Sequence, residues 1–582
     1  MLLQQSQRKL QSSEESNCHI LCLIDVIGFL YNEREESDQE DSSETEGDQI
    51  FLCRLLNYDS RSRAGYRIEL PASFANDNKN ELASAAATLC ISDGQIDREA
   101  YRVIIAEGAQ LSLLQSRRKL QSIPPIVGRR SVLAIQLTTT FMSDTSRKYE
   151  EPGLSSREIE GSIFGTGPNA PGHDLVSQYK ECSFGALDIR PAEGVNIING
   201  VAQVELRAPI AGGELLGSLQ DDIIEATEEV VGSLDQYDHV IYCIPDDALM
   251  DGTSKWTAFT YFHSHWSFFQ RRRCSAMSVT IHELGHNLGF RHSGYQTEAY
   301  GDESGYMGFT VYETGAPLKC FNGHKNWVSG WFSDREHAID PALAEPVLDR
   351  LVTFVDYAKL GTGGDDVVLM RVGPYYIQYN RAKGINVDTG MHANQVSITY
   401  AKDNFSDSEA VIGLSAGQKT KLANLRTEVI VEVCQFGTSS GGGQSSEATL
   451  SLVATARQSI FGDGSSPIDF AWVSVYLNDG KQKSQCHSAG QDKLAEPSPS
   501  EEPNKQSSSR QPSFRPTGSP SRQPTSLLRP TLSQISDLEQ GERVQKKSLE
   551  VSFKDTQKLE VEEIGVEEPK PAKRLRQLKG GN

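Results

Sequence analysis

The 582-residue sequence has no apolar run long enough to cross a membrane and no excess of positive charge. Its first apolar run, Ile20 to Leu30, is shorter than the roughly 20 residues that a spanning helix needs, and it contains Asp25. The formal net charge is -21 and the isoelectric point is near 5.1, which disfavours nucleic acid as the main partner. These absences exclude transmembrane helices, and an acidic balance suits a soluble extracellular enzyme.

A recognisable secretory signal is also lacking. Residues 1–9 are polar, and the run from Ile20 to Leu30 does not have the layout of a signal peptide. Three explanations are open: the start of the sequence is incomplete, export is unconventional, or the protein stays inside the cell. We favour the first.

Cysteine is not dense, with ten in 582 residues, so ordinary buried thiols are one interpretation. The ten nevertheless fall into even groups: four before residue 125, four between 126 and 345, and two that bracket the last β-rich stretch. They are Cys18, Cys22, Cys53 and Cys90; Cys182, Cys243, Cys274 and Cys320; and Cys434 and Cys486. Even numbers favour disulfide bonds and an oxidising compartment, with the pairing left open.

The most informative motif is HExxHxxGxxH, formed by His282, Glu283, His286, Gly289 and His292. A helix places residues i and i+4 on one face, so the first two histidines can bind one metal. Gly289 can adopt a backbone conformation closed to other residues, which lets the chain turn back and supply His292. Three histidines leave a fourth zinc position open for water, within reach of Glu283. The alternative is an amphipathic helix that carries histidines by chance.

A methionine in a glycine-flanked turn follows the motif. Met307 lies fifteen residues after His292, where metzincins place a methionine turn below the zinc ligands. Position 309 is Phe, so the metal-binding Tyr that some metzincins carry there is absent. Three further histidines, which are expected to be satisfied core or surface residues rather than ligands, are His263, His265 and His324.

These residues resemble the gametolysin (autolysin) family of metzincins. The resemblance rests on Ile281 to Phe290 followed by His292-Ser293-Gly294, and it covers roughly residues 125 to 485. Four further stretches match the family's pattern: Tyr300-Gly301-Asp302 through Met307-Gly308; Cys320-Phe321-Asn322-Gly323 with Trp327 to Trp331; Asp238-His239-Val240 leading to Cys243-Ile244-Pro245; and Tyr379-Asn380-Arg381-Ala382-Lys383-Gly384-Ile385-Asn386.

The resemblance implies a secreted zinc endopeptidase that acts on cell-wall or extracellular-matrix glycoproteins. His282, His286 and His292 are then the Zn²⁺ ligands and Glu283 the general base that activates a zinc-bound water. Met307 and Gly289 support the site structurally. One alternative is a non-catalytic matrix or wall-binding protein that retains the metzincin fold, although such a protein needs no Glu283. Another is an intracellular metalloprotease. Cleavage preference, calcium requirement and oligomeric state stay open.

The predicted fold class is α+β, in four regions. Residues 1–125 are a propeptide-like region, 126–345 a metzincin-like domain with a twisted sheet and long helices, 346–487 a β-sandwich-like module, and 488–582 a disordered Ser/Pro-rich tail. The predicted elements of the second region are strands over 131–137 and 239–244, a strand and loop over 256–269, and helices over 214–234, 278–288 and 322–332. Short apolar runs, including 449–455, predict the strands of the third.

Two features of the N-terminal region bear on latency. The basic stretch at 116–122 repeats residues 6–12 in part and is followed by two prolines, so it is either a processing site or a solvated linker. Cys90 is either a thiolate that occupies the fourth zinc position or a disulfide or buried thiol, and the second interpretation is preferred.

Overall fold

A computed structural model describes most of residues 18–489. The described ranges are 18–31, 50–56, 65–78, 82, 87–114, 124–139, 153–166, 172–210, 213–245, 248–249, 256–308, 317–361, 364–439 and 467–489. Four predictions lie outside them: the tail from 490 onward, the processing site at 116–122, the strand at 449–455, and Phe309. Among the described residues, every helix is too short or too polar to span a bilayer.

The described residues form a mixed α+β structure with three sheets and few helices. The strands are β1 (Ile20–Tyr31), β2 (Ile50–Leu55), β3 (Tyr66–Ile68), β4 (Thr88–Ile91), β5 (Gly94–Asp97), β6 (Arg102–Ile105), β7 (Leu111–Leu114), β8 (Gly128–Thr139), β9 (Leu187–Pro191), β10 (Ile197–Ile198), β11 (Val201–Leu206), β12 (His239–Ile244), β13 (Trp256–Tyr261), β14 (Trp266–Gln270), β15 (Ser293–Gly294), β16 (Glu336–Ile339), β17 (Val347–Val352), β18 (Leu369–Val372), β19 (Tyr375–Asn380), β20 (Gln395–Ala401), β21 (Ser408–Leu414), β22 (Lys419–Leu422), β23 (Val429–Ser439) and β24 (Ile468–Leu477).

Helices within the described ranges are short. The α-helices are α1 (Ala72–Asp77), α2 (Ser156–Phe164), α3 (Leu175–Cys182), α4 (Gln220–Val231), α5 (Met277–Asn287) and α6 (Gly323–Ser329). Short 3-10 helices occupy Leu234–Gln236, Arg271–Ser275, Ser333–Arg335, Phe354–Lys359, Gly384–Asn386 and Cys486–Ser488.

The largest sheet carries helices on both of its faces. Strands β11, β8, β12 and β14 are parallel neighbours, and β13 pairs antiparallel with β14. Side chains alternate along β8 because successive residues of a strand point to opposite faces. Val132 and Ala134 join the cluster that contains Ile281 of α5, whereas Leu133 joins the cluster that contains Ile223 of α4. Helix α5 is therefore fixed against one face of the sheet.

The N-terminal strands extend this same sheet. Strand β1 pairs antiparallel with β13, with Ile27 opposite Tyr261, and it pairs with β2 on its other side. The amide of Phe262 donates to the carbonyl of Val26 at 3.0 Å. Phe262 also packs into the apolar cluster of the N-terminal strands. The region before residue 115 is thus joined to the strand next to α5 by a backbone ladder and a shared core.

Two further sheets follow the helical region. One has the order β15-β21-β20-β19-β18-β16 and the other β17-β24-β23-β22. One apolar cluster contains residues of both sheets, such as Ile377 and Ile398 from the first and Val431 and Val473 from the second. The two sheets therefore share one core. This core also includes Ile339, which precedes residue 346, where the predicted module begins.

Two predicted helices are shorter in the structure than in the sequence pattern. The helix predicted over 214–234 is regular only from Gln220, because Leu216 and Gly217 leave helical backbone geometry. The helix predicted over 322–332 ends at Ser329, because Gly330 has a φ of 69° and reverses the chain. The strand predicted over His239–Ile244 is confirmed, and every residue of it is buried.

All ten cysteines are paired within the groups that the sequence defines. The pairs are Cys18–Cys90, Cys22–Cys53, Cys182–Cys320, Cys243–Cys274 and Cys434–Cys486. The disulfide interpretation is therefore supported. Cys90 is bonded to Cys18, so its sulfur is not a thiolate that could bind a metal, and the zinc-ligand idea for this residue is wrong.

Loss of the Cys182–Cys320 bond is expected to destabilise the protein more than loss of a bond that closes a shorter loop. This bond spans 138 residues and the Cys434–Cys486 bond spans 52. Replacing the longer pair by alanine should lower the free energy of unfolding by about 3–5 kcal/mol. Denaturant unfolding of both double-alanine variants tests this. A smaller effect for the longer pair would contradict the expectation.

Candidate metal centre

Helix α5 places His282 and His286 on one face, one turn apart. Every residue of this helix is buried, because its apolar side packs on the sheet and its other side lies under the chain that follows. His282 is 1% exposed and both Glu283 and His286 are 0% exposed. The helix thus holds two imidazoles and a carboxylate away from solvent.

The backbone reverses at Gly289 and returns His292 to the same place. Gly289 has a φ of 98°, and its amide donates to the carbonyl of His286 at 2.9 Å. A side chain at Gly289 would also collide with the imidazole ring of His263. Glycine is therefore required at this position both for conformation and for space. After the reversal, one ring nitrogen each of His282, His286 and His292 lie within 4.8 Å of one another.

Hydrogen bonds to backbone carbonyls fix the first two rings. Nδ1 of His282 lies 2.7 Å from the carbonyl of Tyr306, and Nδ1 of His286 lies 2.7 Å from the carbonyl of Phe290. A carbonyl can only accept, so each Nδ1 carries the proton and each Nε2 has a free lone pair. These two histidines therefore present Nε2 to their common centre.

The converging nitrogens fit a metal ion. The Nε2 atoms of His282, His286 and His292 are buried and have no hydrogen-bond partner among the described residues. Buried polar atoms without partners are costly, and three on one point indicate a cation that uses them as ligands. Imidazole nitrogens suit Zn²⁺ and other divalent transition metals. The site thus has the donors that a metal requires.

Burial also sets the charges of the site. Burial lowers the pKa of His282 to about 4 and that of His292 to about 3, and it holds the pKa of His286 well below its usual range. Neutral imidazoles are the forms that bind metals. Burial raises the pKa of the Glu283 carboxyl well above its usual range. Both oxygens of Glu283 are buried without a partner among the described residues.

Met307 packs directly beneath the helix. It is 0% exposed, and its sulfur lies 2.6 Å from where a Cβ of Gly285 would stand. Gly285, which lies between the two histidines, is therefore the residue that lets the methionine approach. A sequence motif that leaves this position unspecified gives no sign of this role.

The three other histidines do not join the metal centre. His324 is hydrogen-bonded on both ring nitrogens, to the carbonyl of Asp403 and to the ammonium of Lys325. His263 packs against Gly289 and donates its amide to the carbonyl of His286 at 3.1 Å. The Nε2 atoms of His263 and His265 are buried without a partner among the described residues. For these two histidines, the expectation that every ring nitrogen is hydrogen-bonded is therefore not fully met.

Two aromatic rings border the histidines and were missed by sequence reasoning. The ring of Phe262 lies 4.5 Å from that of His286, and the ring of Tyr300 lies 4.3 Å from that of His292. The guanidinium of Arg291 stacks over Phe262 at 4.0 Å. Aromatic residues near a histidine in sequence carry no signal of such contacts, since they depend on how separate segments meet.

Comparison with known proteins agrees with this geometry. The model of the family described as gametolysin peptidase M11 matches residues 142–395. A search of curated proteins found no match. The matched segment contains all three converging histidines, Glu283 and Met307. The segment that carries the metal centre therefore matches the gametolysin peptidase M11 family, and this match supports a metallopeptidase.

Proposed function

We propose that the protein is a zinc-dependent metalloendopeptidase that hydrolyses peptide bonds within proteins. The observation that carries the proposal is the convergence of three Nε2 atoms next to a buried carboxylate, none of which has a hydrogen-bond partner among the described residues. A structural zinc site is closed by four protein ligands, whereas a catalytic site keeps one position open. Three histidines with a general base beside them match the second arrangement.

The residues divide the work by their positions. His282, His286 and His292 hold the ion, and Zn²⁺ when bound supplies Lewis acidity toward the scissile carbonyl and toward water. Glu283 takes a proton from the attacking water and returns it to the leaving amine. That role needs the carboxylate form. Burial alone disfavours the carboxylate, but the charge of a nearby cation favours it.

The proposed substrates are extracellular-matrix or cell-wall glycoproteins, and the proposed location is outside the cell. The substrate class rests on the family, whose members act on such material. The five disulfide bonds support the location, because disulfides persist in oxidising compartments.

The proposed domain organisation follows the sheets. Residues 126–345 are assigned as a metzincin-like domain, in agreement with the sheet and helix that carry the histidines. Residues 346–487 are assigned as a β-sandwich-like module, which the core shared by two sheets supports. Residues 1–125 are assigned as a propeptide.

The position of the N-terminal strands supports a zymogen. Extended peptides bind proteins by adding a strand to an exposed sheet edge. The edge nearest the histidines is β13, and β1 covers it from Ile27 to Tyr31. Phe262, which contacts His286, is packed into the core of the N-terminal region. Removal of this region would free the edge and uncover Phe262, which lies against His286.

Replacing the proposed base should abolish activity while leaving metal binding intact. For Glu283→Gln we expect kcat/KM on an unfolded protein substrate to fall by about 100- to 10,000-fold, because the amide cannot accept the proton. Zinc content should be unchanged. The control is Glu298→Gln, which alters an exposed carboxylate on the loop that follows His292. Full activity of the Glu283 variant would refute the proposed role. An inactive but zinc-loaded wild-type protein, freed of residues 1–125, would favour the wall-binding alternative.

The affinity of the site for zinc should change little at mildly acidic pH. Because burial lowers the pKa values of His282 and His292 to about 4 and about 3, both rings stay neutral as the pH falls from 7 to 5.5. Zinc affinity should change by less than about threefold over this interval and collapse only below about pH 4. If the histidines had the usual pKa near 6.5, protonation of each one would lower the zinc affinity by about tenfold over the same interval. Equilibrium dialysis at fixed free zinc distinguishes the two outcomes.

Separating the N-terminal region should activate the enzyme. In a chain whose residues 116–122 are replaced by a specific protease site, cleavage and dissociation of the N-terminal fragment should raise peptidase activity at least about tenfold, since β13 becomes accessible. The uncleaved chain of the same variant is the control. Equal activity before and after the fragment has dissociated would show that this region does not inhibit.

A further inference from the structure

We infer that Lys325 and Ser408 are positioning residues for the third metal ligand, and that the C-terminal strands are therefore part of the metal centre. The inference rests on the proposed metal site. It goes beyond the matched family segment, because Ser408 lies after residue 395, where that match ends.

The third ligand is held differently from the first two. The rings of His282 and His286 are each fixed by a hydrogen bond from Nδ1 to a carbonyl. The ring of His292 has no hydrogen-bond partner among the described residues. His292 also lies outside helix α5, so helical geometry does not fix it. Apart from ring contacts with Tyr300 and Phe262, its position therefore depends on what holds its backbone.

Three donors meet at the carbonyl of His292. The amide of Ser408 donates to it at 3.0 Å, the ammonium of Lys325 at 3.1 Å and the hydroxyl of Ser408 at 3.5 Å. Next to this carbonyl, β15 pairs in parallel with β21, with Ser293 opposite Ser408. The hydroxyls of Ser293 and Ser408 lie 3.1 Å apart. The segment that carries His292 is thus bound to the C-terminal strands by main chain and side chain.

Lys325 is an expensive residue to bury. It is 1% exposed and lies on helix α6, close to the metal centre. Buried ammonium groups are rare unless their N–H donors form hydrogen bonds. The ammonium of Lys325 donates to the carbonyl of His292, to the hydroxyl of Ser408 at 2.8 Å and to Nδ1 of His324 at 3.2 Å. This arrangement joins the ligand segment, α6 and β21 in one hydrogen-bonded junction.

A buried amide and carboxylate extend the junction to the methionine turn. The side-chain amide of Asn322 donates to Asp302 at 2.8 Å and to the hydroxyls of Ser293 and Ser408 at 3.1 Å each. Asp302 also accepts from the amide of Ser304 at 2.9 Å. Since polar networks of this kind fix a single arrangement when all members are satisfied, the junction sets where the third imidazole stands relative to α5.

The test compares Lys325→Met and Ser408→Ala with the matched control Ser397→Ala in the full chain. Ser397 is a buried serine on the neighbouring strand β20, where its hydroxyl donates to the carbonyl of Gln378 at 3.2 Å. Lys325→Met keeps an unbranched side chain as long as the carbon stem of lysine and removes the hydrogen-bond donors. The readouts are zinc affinity, by competition with a chromogenic chelator, and the visible absorption spectrum of the cobalt-substituted protein.

Lys325→Met should weaken zinc binding by about 10- to 100-fold, as loss of a supporting hydrogen bond does in other metal sites, and should shift the cobalt spectrum. Ser408→Ala keeps its backbone amide and should give a smaller weakening in the same direction. Ser397→Ala should match the wild type. A wild-type affinity and spectrum in both Lys325→Met and Ser408→Ala would overturn the inference. If Lys325→Met does not fold, Ser408→Ala decides alone. These readouts need no peptidase activity, so a failure here is distinct from a failure of the proposed reaction.

Discussion

The constraint on which the site depends is that three neutral imidazoles point buried Nε2 atoms at one centre. Burial lowers the pKa of each and leaves each Nε2 without a partner among the described residues. An arrangement of this kind is unfavourable unless a cation completes it. The hydrogen bonds to the carbonyls of Tyr306 and Phe290, the reversal at Gly289 and the methionine below α5 all serve to keep these nitrogens aimed at one another.

Three separate parts of the chain converge on this point. The parallel sheet supplies the face on which α5 lies, the N-terminal strand β1 covers the adjacent edge, and β21 holds the backbone of His292. The disulfides all close within their own regions, so the contacts between regions are made by backbone ladders and shared cores rather than by covalent bonds. Apart from the main chain, the N-terminal region is thus held by non-covalent contacts, as its proposed role in latency requires.

Much of the site could be predicted because its chemistry depends on local spacing. The i and i+4 histidines and Gly289 occupy one short segment, and the buried strand over His239–Ile244 is a continuous apolar run. Contacts that join distant segments could not be predicted in this way. Three such contacts arise only when the chain is folded. They are the pairing of β1 with β13, the close packing of Met307 against Gly285, and the hydrogen bond from buried Lys325 to His292. In the sequence, a lysine that will be buried looks the same as one that stays in solvent. The backbone carbonyls that orient the histidines cannot be recognised either, because every residue has one.

The most direct test of the account is the coordination of zinc in the purified protein, measured by X-ray absorption. The account predicts one zinc per chain with three imidazole nitrogens at about 2.0–2.1 Å and one oxygen from solvent, lost in a variant that lacks His282, His286 and His292. A protein that binds no zinc, or one in which a fourth protein side chain closes the coordination shell, would contradict an open catalytic site.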